Sequence, residues 1–234
     1  MSSEREIDYK RLLALFWEFS RRIEDLHTLY LDAIVGFEFL HGELLRHQDD
    51  VRRFLGNHEY ATAAFQDTCS VAYQQLGGKD VSPVSMSPVM RQGDLKERTR
   101  EDGKNFLLLG SQCVVSAYAY WEEYLRIEIG VAIGVLPREA TNSEHNRAIL
   151  NQHVTSDFWG DMRHLRNSIV HRNGIAISDM SKCRIVRWFS PGTPIELTFK
   201  RMQEIFLLMG DYRNELHSMS FPPREPIRIP SPAR

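Results

Sequence analysis

Cysteine is scarce in this 234-residue sequence, and the three that occur, Cys69, Cys113 and Cys183, have no paired spacing. An odd, scattered set is typical of reduced thiols and argues against a disulfide framework. Long apolar runs are also lacking, because the two longest, near 106–121 and 127–136, are too interrupted to span a bilayer. The polar first residues do not resemble a signal peptide. We therefore expect a soluble, cytoplasmic protein without a membrane partner.

Signatures of common cofactor and metal sites are missing. The run Gly77-Gly78-Lys79 lacks the outer glycine and the preceding strand of a phosphate loop. The nine histidines form no pair at four-residue spacing around a glutamate, and the cysteines have no zinc-binding spacing. We therefore expect neither a cofactor nor a metal ion.

A strong excess of one charge is lacking too, since 29 lysines and arginines face 31 aspartates and glutamates, a formal net charge of −2. Such a chain does not hold nucleic acid by bulk electrostatics, so any RNA contact must be local. Residues 163–187 form a basic patch with Asp179 as the single acid. Its six basic residues are Arg163, Arg166, Arg172, Lys182, Arg184 and Arg187. The alternative interpretation of this patch is a solvated face.

The same region contains a predicted helix that ends near residue 172. Three apolar residues at helical spacing mark its buried face, Met162, Leu165 and Ile169. Arg163, Asn167 and His171 repeat every fourth residue and so share another face. Asn173-Gly174 predicts a left-handed cap that places His171 in the last turn. An imidazole there suits a general acid or base near neutral pH.

The run Arg166-Asn167-Ser168-Ile169-Val170-His171 resembles the HEPN motif, in which an arginine and a polar residue are followed by three residues and a histidine. HEPN proteins are helical domains, and many are metal-independent endoribonucleases or RNA-binding toxins. The resemblance implies a homodimer in which two motifs face each other across a two-fold axis and form one composite RNA-cleaving site. An antitoxin or other regulatory protein is a further partner that fits a toxin, phage-defence or RNA-processing role.

The resemblance also implies a role for each catalytic residue. His171 would take the proton of the ribose 2′-hydroxyl or donate one to the leaving oxygen. Arg166 would stabilise charge on the phosphate, and Asn167 would orient the phosphate or the imidazole. Three glutamates on the preceding helix are candidates to support an arginine of the site, with ordinary surface charge as the alternative: Glu122, Glu123 and Glu128.

Helical geometry gives a separate reason to expect a second chain. At about 100° per residue, Arg166 and His171 lie about 140° apart, so one helix does not readily aim both at one phosphate. A two-fold partner would bring another arginine and histidine to the same place. The alternative is a non-catalytic scaffold that binds RNA or a nucleotide, or only builds a dimer. A separate, purely structural interpretation pairs Arg166 with a carboxylate at the edge of the core, has His171 cap a helix end and leaves Asn167 solvated.

The N-terminal quarter has the clearest periodicity, with large residues that step by threes and fours from Tyr9 to Phe54. This heptad seam predicts a helix of about 69 Å, although Gly36 and Gly42 could bend or break it. Helices of the same chain and of a second subunit are both expected to cover the seam.

Near the C-terminus, apolar runs on both sides of Ser190-Pro191-Gly192-Thr193-Pro194 predict a β-hairpin over 183–199. Its Arg184, Arg187 and Trp188 would suit single-stranded RNA. The alternative buries Trp188 and Phe189 against the helices.

The predicted fold class is all-α, a helical bundle of HEPN-like type with a long N-terminal helical arm and one small β-hairpin. The further predicted helices cover about 58–76, 94–135, 143–153 and 200–218. The predicted units are an arm over 1–78, a linker over 79–93, a HEPN-like domain over 94–220 and a proline-rich tail over 221–234. Catalysis is assigned to Arg166, Asn167 and His171, and RNA binding to the basic residues Arg163, Arg172, Lys182, Arg184 and Arg187.

Overall fold

The computed structural model describes residues 6–77 and 89–222, so most of the predicted linker over 79–93 and of the predicted tail over 221–234 lies outside the described residues. The described chain is mostly helical with one small antiparallel sheet, which confirms the predicted all-α class. The helices are α1 (Tyr9–Leu55), α2 (Ala63–Thr68), α3 (Gln92–Thr99), α4 (Lys104–Tyr120), α5 (Arg126–Ala132), α6 (Glu144–His153), α7 (Asp157–His171) and α8 (Phe199–Met219).

Helix α1 runs unbroken for 47 residues, through both Gly36 and Gly42. It begins where the Asp8 carboxylate accepts the Arg11 backbone N–H at 2.8 Å, which satisfies one of the unpaired donors of the first turn. The predicted seam is covered by helices of its own chain, chiefly α8. No helix within the described ranges is both long and apolar enough to cross a membrane.

The main core joins the first half of α1 to α4, α5, α7 and α8. At its centre the Trp121 and Trp159 rings stack with centroids 5.0 Å apart, and Phe19 and Tyr212 meet Trp159 edge-on. Aromatic pairs of this kind add stability beyond the area they bury. Because Phe19 of α1 sits at this centre, the packing crosses the predicted boundary between an N-terminal arm and the helical domain.

A smaller cluster covers the second half of α1, where Leu44 packs with Val71, Leu76 and Leu95. The sheet lies here, with β1 (Ser70–Ala72) antiparallel to β2 (Val89–Arg91). The predicted helix over 58–76 is therefore wrong beyond Thr68. Extended backbone after α2, followed by a 3₁₀ turn over Tyr73–Leu76, brings both Val71 and Leu76 into this cluster.

The predicted helix over 94–135 is interrupted. Helix α3 ends at Thr99, and a turn with Asp102 at φ 52° leads into α4. The Asp102 carboxylate accepts the backbone N–H of Phe199 at 2.7 Å, which ties this turn to the start of α8. A π-helical turn, Trp121–Leu125, then joins α4 to α5. Such turns insert one residue per turn and are frequent at functional sites.

The predicted β-hairpin over 183–199 is wrong. No strand forms there, and the region holds a single isolated bridge between Ile175 and Pro194. The reason is the buried Asp161 of α7, whose carboxylate accepts the backbone N–H groups of residues 184, 185 and 186 at 2.7–3.1 Å. These donors are then unavailable to a strand partner. The segment is instead tied to α7 through Asp161, and it inserts Val186 and Leu197 into the core.

All three cysteines are free thiols. Burial raises the pKa of Cys113 to about 11 and that of Cys183 to about 12. Both thiols are therefore protonated and weakly nucleophilic near neutral pH.

Candidate functional site

Helix α7 positions the motif, and it ends where Asn173-Gly174 predicts. The Ser156 hydroxyl accepts the Trp159 backbone N–H at 3.4 Å and caps the first turn. At the other end Asn173 and Gly174 both have left-handed backbones, with φ of 51° and 79°. The Gly174 N–H donates to the carbonyl of Ser168 at 3.0 Å, which closes the helix. His171 is thus the last residue of α7, and its side chain is exposed.

The three catalytic candidates meet within one chain. Arg166 Nη1 lies 2.6 Å from His171 Nε2 and 3.1 Å from Asn167 Oδ1. Because a guanidinium only donates, Nε2 is the unprotonated ring nitrogen in this contact. The geometric argument for a second chain is therefore wrong, since the long arginine side chain spans the 140° that separates the two positions on the helix. The composite site now rests on the resemblance alone.

Arg166 and Asn167 also line a groove of about 650 Å³ between α4, the π turn, α6 and α7. A smaller depression of about 300 Å³ continues it and shares five lining residues with it: Tyr118, Glu122, Arg126, Asn151 and Arg163. The groove is lined by four arginines and three glutamates: Arg126, Arg147, Arg163, Arg166, Glu122, Glu123 and Glu144. His171 is outside this lining and reaches the groove through its contact with Arg166.

A fixed polar network forms one wall of the groove. Glu122 Oε2 accepts from Arg126 Nη1 and from the Tyr118 hydroxyl, each at 3.3 Å. The same arginine donates to Asn151 Oδ1 at 2.7 Å and to the carbonyl of Val154 at 3.1 Å. The side chains of Glu122 and Arg126 are only 18% and 11% exposed. Burial, aided by Glu122, raises the pKa of Tyr118, so its hydroxyl remains a donor at neutral pH.

Of the three predicted supporting glutamates, only Glu122 belongs to this network. Glu123, at the groove wall, accepts from Asn142 at 2.7 Å, and Glu128 pairs with Arg11 at 2.7 Å on the far side of the helix. None of them meets Arg166. In the part of the chain that is described, no carboxylate lies within ion-pair distance of Arg166.

The predicted RNA-binding residues are dispersed. Only Arg163 joins Arg166 in the groove. Arg172 borders a separate depression, and Arg187 is exposed elsewhere. Two of the others are held by acids: Lys182 by Asp179 at 2.7 Å and Arg184 by Asp157 at 2.8 Å.

The aromatic pair Trp188 and Phe189 lies as the alternative interpretation predicts, packed against the helices. Phe189 is buried and lies 4.7 Å beneath the Arg201 guanidinium, and Trp188 is half-buried against the core. Neither ring is freely available to stack on a base.

Arg126, Arg147 and Asn151 belong to the groove but were missed at the level of sequence. The only local signal was the spacing of Glu122 and Arg126, which are four residues apart on one helix and so suited to an ion pair. Arg147 and Asn151 lie on α6, and only the tertiary packing brings them opposite the motif helix.

His164 is almost fully buried on α7, and among the described residues its Nδ1 has no hydrogen-bond partner. Burial, with Arg163 nearby, lowers the pKa of this imidazole, against the opposing pull of Asp179 and Asp161. The folded protein therefore binds a proton at His164 less readily than the unfolded chain, whose imidazole has the ordinary pKa of about 6.5.

This difference between the folded and unfolded pKa of His164 predicts that folding stability falls in acid. Above about pH 6.5 both states hold a neutral ring and His164 contributes no pH dependence; below it the unfolded state binds the extra proton and stability falls. Urea unfolding at pH 7.5 and 5.5 should show a larger acid loss for the wild type than for His164→Leu. Equal losses in the two proteins would show that His164 is not the group responsible.

Comparison with protein-family models, curated proteins and solved structures finds no match for this chain. The HEPN resemblance therefore stays a prediction from the motif. Within residues 6–77 and 89–222, no group of three or more His, Cys, Asp and Glu side chains is arranged to hold a metal ion.

Proposed function

We propose that this chain is a metal-independent endoribonuclease in which Arg166 and His171 act on a phosphodiester at the edge of the groove. One observation carries the proposal, the 2.6 Å contact between Arg166 Nη1 and His171 Nε2. It brings a cation that pairs with no carboxylate of the described residues next to an unprotonated imidazole nitrogen. These are the groups that phosphate charge and a 2′-hydroxyl proton require, and neither role needs a metal ion.

In the proposed reaction, RNA phosphate replaces the imidazole as the partner of Arg166. A charge-assisted, bidentate pair is stronger than one bond to a neutral nitrogen, so binding frees His171 Nε2. This nitrogen takes the 2′-hydroxyl proton, O2′ attacks phosphorus, and the bond from phosphorus to O5′ breaks. The leaving oxygen takes a proton from water or, in the homodimer that the resemblance implies, from the histidine of the second chain. The products are a 2′,3′-cyclic phosphate and a 5′-hydroxyl.

The rest of the groove would hold the neighbouring nucleotides. Arg163 and Arg147 offer two further phosphate contacts, while Glu122 fixes the orientation of Arg126. Such local contacts suit a chain of nearly balanced charge, because affinity then depends on a few phosphates rather than on a broad basic surface.

The second candidate function is RNA or nucleotide binding without cleavage. The groove volume falls in the range of about 300–1,000 Å³ that is common for ligand sites, and its arginines bind phosphate whether or not His171 reacts. Binding of RNA by a wild type that does not cut it would support this function.

Replacing Arg166 by alanine tests the proposed role of the cation. We expect kcat for RNA cleavage to fall by about 10²-fold, the usual effect of losing one donor that stabilises developing charge. The matched control is Arg172→Ala, which removes the same charge from the same helix end outside the groove. This variant should keep a kcat close to that of the wild type. Equal losses in both variants would indicate a general charge effect.

A further inference from the structure

The outer face of α1 carries a stripe of exposed residues that is symmetric about Val35. From Trp17 to Val35 these positions follow in steps of 4, 3, 4, 3 and 4 residues, and the same steps lead from Val35 to Arg53. At about 100° per residue, all of them fall within an arc of about 80° on the side of the helix away from the core. The spacing of exposed residues is therefore the same from Val35 toward the N-terminus as from Val35 toward the C-terminus.

We propose that this outer face is the interface of an antiparallel homodimer, with the two-fold axis passing beside Val35. In an isologous pair, a residue before Val35 faces the residue at the same distance after Val35 on the other copy. Val35 then meets its own equivalent, Leu31 faces Phe39, and Thr28 faces Gly42. Every contact away from the axis occurs twice.

The centre of this face is apolar and uncovered. Val35 is 63% exposed, Phe39 65% and Leu31 37%. A side chain added at Gly42 would meet nothing within 4 Å, so the helix surface is open to a second backbone there. Contiguous exposed apolar residues with a polar rim are typical of interaction sites. A second copy would bury six such side chains, three from each chain.

The charges on either side of this centre favour a second copy as the partner and an antiparallel orientation of the two α1 helices. In the antiparallel pair Glu24 faces Arg46, and Arg21 faces Asp49, so each contact joins opposite charges. Parallel pairing would instead place each of these residues beside its own equivalent, which is repulsive. Arg46 already has a partner in its own chain, the half-buried Glu43, and a pair that is open to solvent on the arginine side contributes little and can be exchanged.

At the ends of the stripe, the antiparallel pair places Trp17 opposite Arg53. Trp17 is 61% exposed, so its ring is accessible to the guanidinium. The face shares no residue with Arg166, His171 or the groove. The proposed dimer is therefore independent of the proposed reaction, and particle mass rather than cleavage is its readout.

Light scattering of the full chain tests the interface. Val35→Asp brings two carboxylates together at the axis and should halve the particle mass at a concentration where the wild type is fully assembled. Val35 is exposed in the monomer, so the fold itself is not at risk. Leu29→Asp is the matched control, because Leu29 is 61% exposed on another face of the same helix. It should keep the wild-type mass. A monomeric wild type, or equal masses for the two variants, would overturn the proposal.

A charge exchange tests the register. Glu24→Arg alone sets two arginines against each other at each of two contacts and should dissociate the dimer. Adding Arg46→Glu to it restores opposite charges and should restore the mass. If each single variant dissociates but the double variant does not reassemble, the antiparallel register is contradicted. If neither single variant dissociates, another surface holds the copies together.

Discussion

His171→Ala is expected to lower kcat for RNA cleavage by about 10²–10⁴-fold, the usual contribution of a positioned general acid or base. The side chain is exposed, so its removal should leave the fold intact. The groove and its arginines remain in the variant, and RNA affinity should therefore change little. Single-turnover cleavage with a labelled RNA, together with a binding titration, measures the two effects separately.

Two further variants isolate proton transfer from positioning. His171→Asn offers an amide oxygen that can still accept from Arg166 but cannot act as a base near neutral pH. It should be as inactive as His171→Ala. His153→Ala removes an exposed imidazole at the end of α6, outside the groove lining, and should retain activity. Activity near that of the wild type in His171→Asn would reduce the histidine to a positioning role.

Asp161→Ala is expected to cost about 3–5 kcal/mol of folding stability, because it strips a charged acceptor from three backbone N–H groups. The Asp161 side chain is 3% exposed and ties α7 to residues 184–186. A loss of this size is a large part of the 5–15 kcal/mol that typically stabilises a domain, so a clear fall in the urea midpoint is expected.

Asp157→Ala provides the control on the same helix. It also removes a carboxylate that binds this segment, through Arg184 at 2.8 Å, but that pair is exposed. Its loss should cost about 1 kcal/mol or less. Similar midpoints for the two variants would show that the segment after α7 is held by its buried apolar residues instead.

The parts of the fold that the sequence predicts are those set by near neighbours. The apolar spacing of α7 and the left-handed pair Asn173-Gly174 lie within or beside the helix that they define. The start of α1 at Tyr9 and the end of α8 near Met219 are equally local.

The failures come from contacts between distant segments. Nothing in residues 184–189 shows that a carboxylate 23 positions earlier accepts their N–H groups, so the alternating pattern reads as a strand. Similarly, the sequence around Val71 and Leu76 predicts a helix, because nothing in it shows that both side chains pack with Leu44. The contact of Arg166 with His171 was missed for another reason, because backbone angles ignore the reach of an arginine side chain.

One substrate comparison tests whether Arg166 and His171 promote attack by the ribose 2′-hydroxyl without a metal ion. A random RNA pool incubated with the wild type in EDTA first identifies a cleaved position, and an oligonucleotide of that sequence is then compared with one carrying a single 2′-deoxy sugar there. The predicted result is cleavage of the all-ribose strand to a 2′,3′-cyclic phosphate and a 5′-hydroxyl, with the 2′-deoxy strand intact. Equal cutting of both strands, products with a 3′-hydroxyl, or no cutting of any RNA in the pool would contradict it.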